Sequence, residues 1–183
     1  MKKITTLLVF LLMSGSVSIS IGQTYTLSGN VVYYYNYYPV DSCRAYLKDS
    51  TSTKIEWTNV SSSTAAYSFS NLAPGKYYVG IDSCWSKYWG GSNSTDALMI
   101  MQHFLGIITL SGLSLLAADV DGPNYVNTLD AVWVQQRFVW MVDYFPAGDW
   151  VLNVDTLVDL SGDQTQNILT ACFGDVNHTA SPY

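Results

Sequence analysis

The sequence predicts a mixed fold: an N-terminal antiparallel β-sandwich, then a pair of packed helices, then a closing set of strands. Three observations carry this. From Tyr25 to about Ile81, short β-rich runs alternate with Ser, Thr, Gly and Pro, and no stretch holds a helical period. After Trp89-Gly90-Gly91 the apolar residues move to three- and four-residue spacings, and that pattern occurs twice. Beyond the second copy, Asp149 to Leu152, Asp155 to Leu160 and Gln166 to Cys172 read as extended runs, with a turn at Ser161-Gly162-Asp163.

Ahead of the first strand, Lys2-Lys3, the apolar run Ile4 to Met13 and the small residues through Gly22 have the three regions of a secretory signal, with cleavage between Ser20 and Gln23. The run is too short to span a bilayer, and no later stretch qualifies, so a secreted chain without a membrane span is expected, extracellular or held at the cell surface. The expected organisation is a signal peptide at 1–22, the sandwich at 23–84, the helix pair at 85–146, and a β-hairpin with a Gly-Asp-Val-Asn tail at 147–183. Of the 183 residues 49% are apolar and 12% charged, and 8 basic against 14 acidic residues give a net charge of −6. That sign disfavours nucleic acid as a partner and favours divalent cations. Glu56 is the one glutamate, and the other acids are aspartates, which suit tight oxygen-ligand loops.

Three cysteines in an oxidising space allow one disulfide. Cys43 shares the inward phase of Ala45 and Leu47, whereas Cys84 stands out of phase with Val79 and Ile81, which favours Cys84 with Cys172. Phase alone leaves the pairing open.

Within the first half, Leu27-Ser28-Gly29-Asn30-Val31, then Tyr46-Leu47-Lys48-Asp49, then Tyr67 to Val79 with its Asn71-Leu72-Ala73-Pro74-Gly75 turn resemble the Cna-B or carboxypeptidase-regulatory-like domains. That resemblance covers roughly a third of the chain. It implies a prealbumin- or Ig-like sandwich, used as an extracellular spacer and in some members as a carbohydrate-binding module. Tyr67 and Phe69 alternate into its core, and Pro74-Gly75 turns the chain into the last strand. The run Tyr33 to Tyr38 has two readings. Tyr33, Tyr35 and Tyr37, with Trp57, could stack on sugar rings, or alternate rings could pack on the sheet or on a neighbouring protein.

In the second half, Asn93-Ser94-Thr95-Asp96-Ala97 through Phe104 aligns with Asn127-Thr128-Leu129-Asp130-Ala131 through Phe138 at an offset of 34 residues. Each copy opens with polar residues able to cap a helix. Ahead of the second copy, Asp119, Asp121, Asn127 and Asp130 stand at loop positions one, three, nine and twelve, with the Tyr125 carbonyl between them. Ca²⁺ takes six to eight oxygens at this kind of spacing. This segment resembles the dockerin repeat, a calcium loop and helix found in duplicate in secreted polysaccharide-degrading assemblies, which docks onto a cohesin. The resemblance implies Ca²⁺ as cofactor and an extracellular protein, cohesin-like or a second copy of the chain, as partner. Ser94, Thr95, His103, Thr128 and Arg137 would lie on the contact surface. Two departures stand out: Pro123 at loop position five, and Leu129 where a recognition hydroxyl is usual.

The first copy has Asn93 and Asp96 but no loop start before it. Asp175 and Asn177, in Gly174-Asp175-Val176-Asn177, are a loop start without a continuation. Asp175 and Asn177 either fold back to complete the Asn93–Asp96 site, in the same molecule or in a neighbouring one, or serve only as a linker. No paired acid and base, activated nucleophile or open zinc motif is present, so a non-catalytic module is expected. The function predicted is tethering or assembly of extracellular proteins. The alternatives are a carbohydrate-binding accessory with polysaccharide as ligand, and a self-assembling surface or fibre subunit.

Overall fold

The computed structural model describes residues 22–87 and 89–180, so the expected signal peptide lies outside the described residues but for Gly22. Five strands come first: β1 (Tyr25–Tyr33), β2 (Cys43–Lys48), β3 (Lys54–Asn59), β4 (Ala66–Leu72) and β5 (Gly75–Cys84). Three helices follow, α1 (Ser94–Phe104), α2 (Gly112–Ala118) and α3 (Thr128–Phe138), and then β6 (Thr156–Leu160), β7 (Gln164–Thr165) and β8 (Ile168–Thr170). The mixed class is as the sequence predicts. The short helix α2 is an addition to the expected pair, since Gly112 opens a helix and does not merely turn the chain.

One sheet has the order β3-β2-β5-β6, and in the other β1 lies between β4 and the pair β7 and β8. Among the described residues, 147–180 therefore do not form the expected hairpin. β6 extends the first sheet antiparallel to β5, whereas β7 and β8 run parallel to β1 in the second. The sandwich is closed by the C-terminal strands and is not purely antiparallel. Asp149 to Leu152 forms no strand, and its one ladder contact is a bridge from Trp150 to Cys172.

Alternation fills the space between the sheets. Leu27, Val31, Ala45, Leu47, Tyr67, Phe69, Val79 and Ile81 are buried there, at about 1.5–3 kcal/mol for each large side chain. The core continues through Trp150 and Phe145 to Ala97, Ile100, Ala131 and Val134, so α1 and α3 pack on each other and share one core with the sandwich.

The expected Cys84–Cys172 disulfide is replaced by Cys43–Cys84, whose Cα atoms lie 3.9 Å apart. The reason is a register shift between β2 and β5, from Arg44 opposite Ser83 to Ala45 opposite Ile81. Asp82 is the extra residue, and it inverts the phase of everything after Ile81, which brings Cys84 directly across from Cys43. Cys172 is free and buried, and burial pushes its thiol up to about 12.

Candidate functional site

The loop entering α3 is organised around Asp130. Its carboxylate is wholly buried: Oδ1 accepts from Val120 N–H at 2.9 Å and Asp121 N–H at 3.3 Å, and Oδ2 from Asn127 N–H at 2.8 Å. Asn127 Oδ1 in turn accepts from Leu129 N–H, so loop positions nine and twelve together form a capping box. Asp119 accepts from Gly122 N–H and Asn124 N–H and curls the loop, with Gly122 and Asn124 both at positive φ. Carboxylate oxygens of Asp119, Asp121 and Asp130 converge within 4.8 Å of one another. Asp121 Oδ1 is buried without a hydrogen-bond partner. Burial, and then the neighbouring Asp119 charge, raise the Asp121 carboxyl above its usual range. Burial raises Asp130 too, opposed by the backbone N–H bonds. An orphaned anionic oxygen facing two more carboxylates fits a hard divalent cation.

The structure brings the two half-motifs together. Asp96 is wholly buried: Oδ1 accepts from Val176 N–H at 3.0 Å and Asn177 N–H at 3.2 Å, and Oδ2 from Asn93 N–H at 2.9 Å. Each of these bonds repeats one of Asp130, with Asp175-Val176-Asn177 standing for Asp119-Val120-Asp121. The tail thus supplies the opening of a loop whose end lies about 80 residues earlier in the chain. Asn93 caps α1 as Asn127 caps α3. Thr179, at the fifth position of this composite loop, places Oγ1 3.4 Å from Asp175 Oδ1 and 3.5 Å from the Gly91 carbonyl, and its N–H reaches Asn177 Oδ1 at 3.3 Å. The contiguous loop has Pro123 at that position. Gly91, at φ +86°, admits the tail, since a Cβ there would fall on the Asp175 carboxylate. Burial pushes Asp96 up to about 6.

The expected contact residues divide. Ser94, Thr95 and Thr128 are exposed at the N-terminal ends of α1 and α3. His103 is half-buried, and its Nδ1 accepts from Leu110 N–H at 3.2 Å, so it braces the turn after α1. Arg137 is not a surface residue. It is 9% exposed, its guanidinium lies 3.4 Å from the Trp89 ring centroid, and Nη2 pairs with Asp149 at 2.7 Å. Arg137 stands three residues after Val134 and six after Ala131, on the buried stripe of α3, and that spacing was the signal for its burial.

Beyond these polar residues, α1 and α3 expose several large apolar side chains. Leu98 and Phe104 on α1 and Val132 and Phe138 on α3 are exposed at repeat-equivalent positions, as are the C-cap residues Leu105 and Val139, whereas exposed Met101 corresponds to Gln135. A groove of about 360 Å³ lies beside them, lined by Ser94, Val132, Gln135, Phe138, Val139 and Met141.

Of the proposed sugar-stacking residues, Tyr33 is wholly buried at the end of β1 and offers no ring face. Tyr35 and Tyr37 are exposed in the following turn, and Trp57 is half-exposed with its indole N–H on Asp82. Sequence reasoning missed Thr179, which contacts Asp175, and His178, which is buried with Nε2 2.7 Å from Ser114 Oγ, and it gave Tyr33, which also contacts Asp175, a different role.

Residues 91–139 match the family described as dockerin type I domain, which places α1, α2, the contiguous loop and α3 in a dockerin-like segment. The match ends before the tail that completes the first loop. A solved structure similar to this chain is that of BcpA, the major pilin subunit of Bacillus cereus, at 8% identity and a TM-score of 0.40. It covers 81% of this chain, which spans 30% of that one. No curated protein matches the chain. Among the described residues no helix is long and apolar enough to cross a membrane.

Proposed function

We propose that this chain is a secreted, non-catalytic docking module whose helix pair is held in shape by calcium and binds an extracellular protein of the cohesin type. The observation that carries it is the twofold repetition. Two oxygen cages with matching hydrogen bonds each lead into a helix, and each helix presents apolar residues at equivalent positions, Leu98 with Val132 and Leu105 with Val139. In the contiguous cage Asp119, Asp121 and Asp130 would hold the ion, joined by the Tyr125 carbonyl and Asn127. In the other, Asp175, Asn177 and Asp96 would do so, joined by Asn93 and Thr179. Bound calcium supplies positive charge that offsets the mutual repulsion of the buried carboxylates, and the residues themselves orient the helices. The partner surface is the exposed face of α1 and α3 with Ser94, Thr95 and Thr128 at its rim.

The test is biolayer interferometry of residues 23–183 against immobilised cohesin modules. Binding in millimolar calcium that is lost in chelator, and lost in a Leu98→Asp, Val132→Asp variant that still folds, is expected. No binding, or binding indifferent to both changes, refutes the reading. A second reading, self-association, is favoured by the extent of exposed apolar surface, which includes Trp140 and Met141. It predicts concentration-dependent sedimentation that the same variant abolishes. A polysaccharide contact would rest on Tyr35, Tyr37 and Trp57, and retardation in glycan-containing gels tests it.

A further inference from the structure

Asp175 divides its two oxygens between two environments. Oδ1 accepts from Thr179 N–H at 2.9 Å, on the side of the composite cage. Oδ2 accepts from the tail's own Ala180 N–H at 2.8 Å and, from the sandwich, the Tyr33 hydroxyl at 2.5 Å. Tyr33 is wholly buried, its ring set edge-on to Trp150 and His178, and its hydroxyl also accepts from Cys172 N–H at 3.4 Å. The phenol therefore has little freedom to turn away. The tail has separate holds on the rest of the protein: Asn36 Nδ2 donates to the Ala180 carbonyl at 2.9 Å, and Tyr34 stacks edge-on to His178. In the contiguous loop the corresponding carboxylate, Asp119, meets backbone N–H groups of Gly122 and Asn124 and, among the described residues, no tyrosine hydroxyl.

We propose that Tyr33 is a positioning residue for the tail-closed cation site. Its hydroxyl fixes Asp175 so that one carboxylate oxygen faces the cage, and the affinity of this cage, unlike that of the contiguous loop, depends on the sandwich. The inference rests on the reading that both cages hold calcium. It gives the aromatic run after β1 an intramolecular purpose, because Tyr33, Tyr34 and Asn36 all hold the tail that carries Asp175 and His178. An outer hydrogen-bond partner of this kind orients a ligand and raises its strength as a donor.

The test compares Tyr33→Phe, which keeps the ring and loses the hydroxyl, with Asn36→Ala, which loosens the tail without touching Asp175. Both are made in the full chain, with calorimetric titration by calcium alone and hydrogen exchange of the tail amides in chelator. Tyr33→Phe is expected to weaken one of two ion classes about tenfold, or about 1.4 kcal/mol, and to leave the other unchanged. Asn36→Ala is expected to leave both in place. Equal weakening of both classes, an unchanged isotherm, or the same loss in Asn36→Ala overturns the proposal. If the wild type binds no ion, the calcium reading fails by itself, and exchange then judges the hydroxyl. Faster exchange at Thr179 and Ala180 in Tyr33→Phe upholds its hold on Asp175, and unchanged exchange overturns it.

Discussion

Asp121 offers the sharpest perturbation, because its replacement by Asn is expected to change sign with calcium. Its Oδ1 is buried without a partner, and its carboxylate lies within 4.8 Å of two others. At that distance two like charges repel by about 3.5 kcal/mol at an effective dielectric near 20, and by about 0.9 kcal/mol in bulk water. The loop is half-exposed, which sets the relief from neutralising Asp121 at about 1 kcal/mol. In chelator, Asp121→Asn should therefore unfold about 2–4 °C higher than the wild type. In calcium the same change removes a charged ligand and forfeits much of the linked stabilisation, about 2.7 kcal/mol at a hundred times the dissociation constant, so the variant should unfold lower than the wild type. Thermal unfolding followed by near-ultraviolet circular dichroism, with and without chelator, reads both arms. An equal shift in the two conditions, of either sign, refutes the assignment of Asp121 as a ligand. Asp130→Ala is the contrasting case: it leaves three backbone N–H groups without their acceptor and should destabilise in both conditions.

Further outcomes follow from other parts of the fold. Peptide mapping without reduction should recover Cys43 joined to Cys84, and Cys172 should resist thiol reagents until the chain unfolds, since it is buried and its thiol is pushed up to about 12. Burial opposes ionisation of Asp82, but Arg44 and Lys54, at 2.8 and 3.0 Å, outweigh it and hold the carboxyl at about 2. Its folded value lies below its unfolded one, so this stabilisation is full above about pH 4 and is lost as pH falls towards 2. Asp82→Asn should cost about 1 kcal/mol in urea unfolding at pH 7, and markedly less at pH 2. Arg137→Lys should lose most of what Arg137→Ala loses, about 2 kcal/mol, because an ammonium cannot stack flat on Trp89 while pairing with Asp149. Equal stability of Arg137→Lys and the wild type would contradict that account.

How far the sequence could be read depended on whether the signal was local. The Asn-x-x-Asp boxes that open α1 and α3, and the alternation of Tyr67 and Phe69, are set by neighbours within a few residues and emerge as the pattern requires. The complementarity of Asp175-Val176-Asn177 with Asn93 and Asp96 was legible as well, because each half lacked what the other had. The disulfide was not, since a single bulge at Asp82 inverts the phase on which the reading depended. Nor was the parallel pairing of β7 and β8 with β1, which joins segments about 137 residues apart and leaves no periodic trace in either. Tyr33 reads as part of a possible surface cluster because Tyr34, Tyr35, Tyr37 and Tyr38 follow it. Only the placement of the tail shows that this one ring turns inward to Asp175.

If two calcium ions hold the helix pair, one of them in the loop closed by the C-terminal tail, the ions can be counted. Calorimetric titration of residues 23–183 with calcium, beside an Asp175→Ala, Asn177→Ala variant, tests this most directly. Two ions are expected for the wild type and one for the variant, the survivor being abolished by adding Asp121→Ala. The same count in both proteins, or no binding in either, would contradict the two-ion reading.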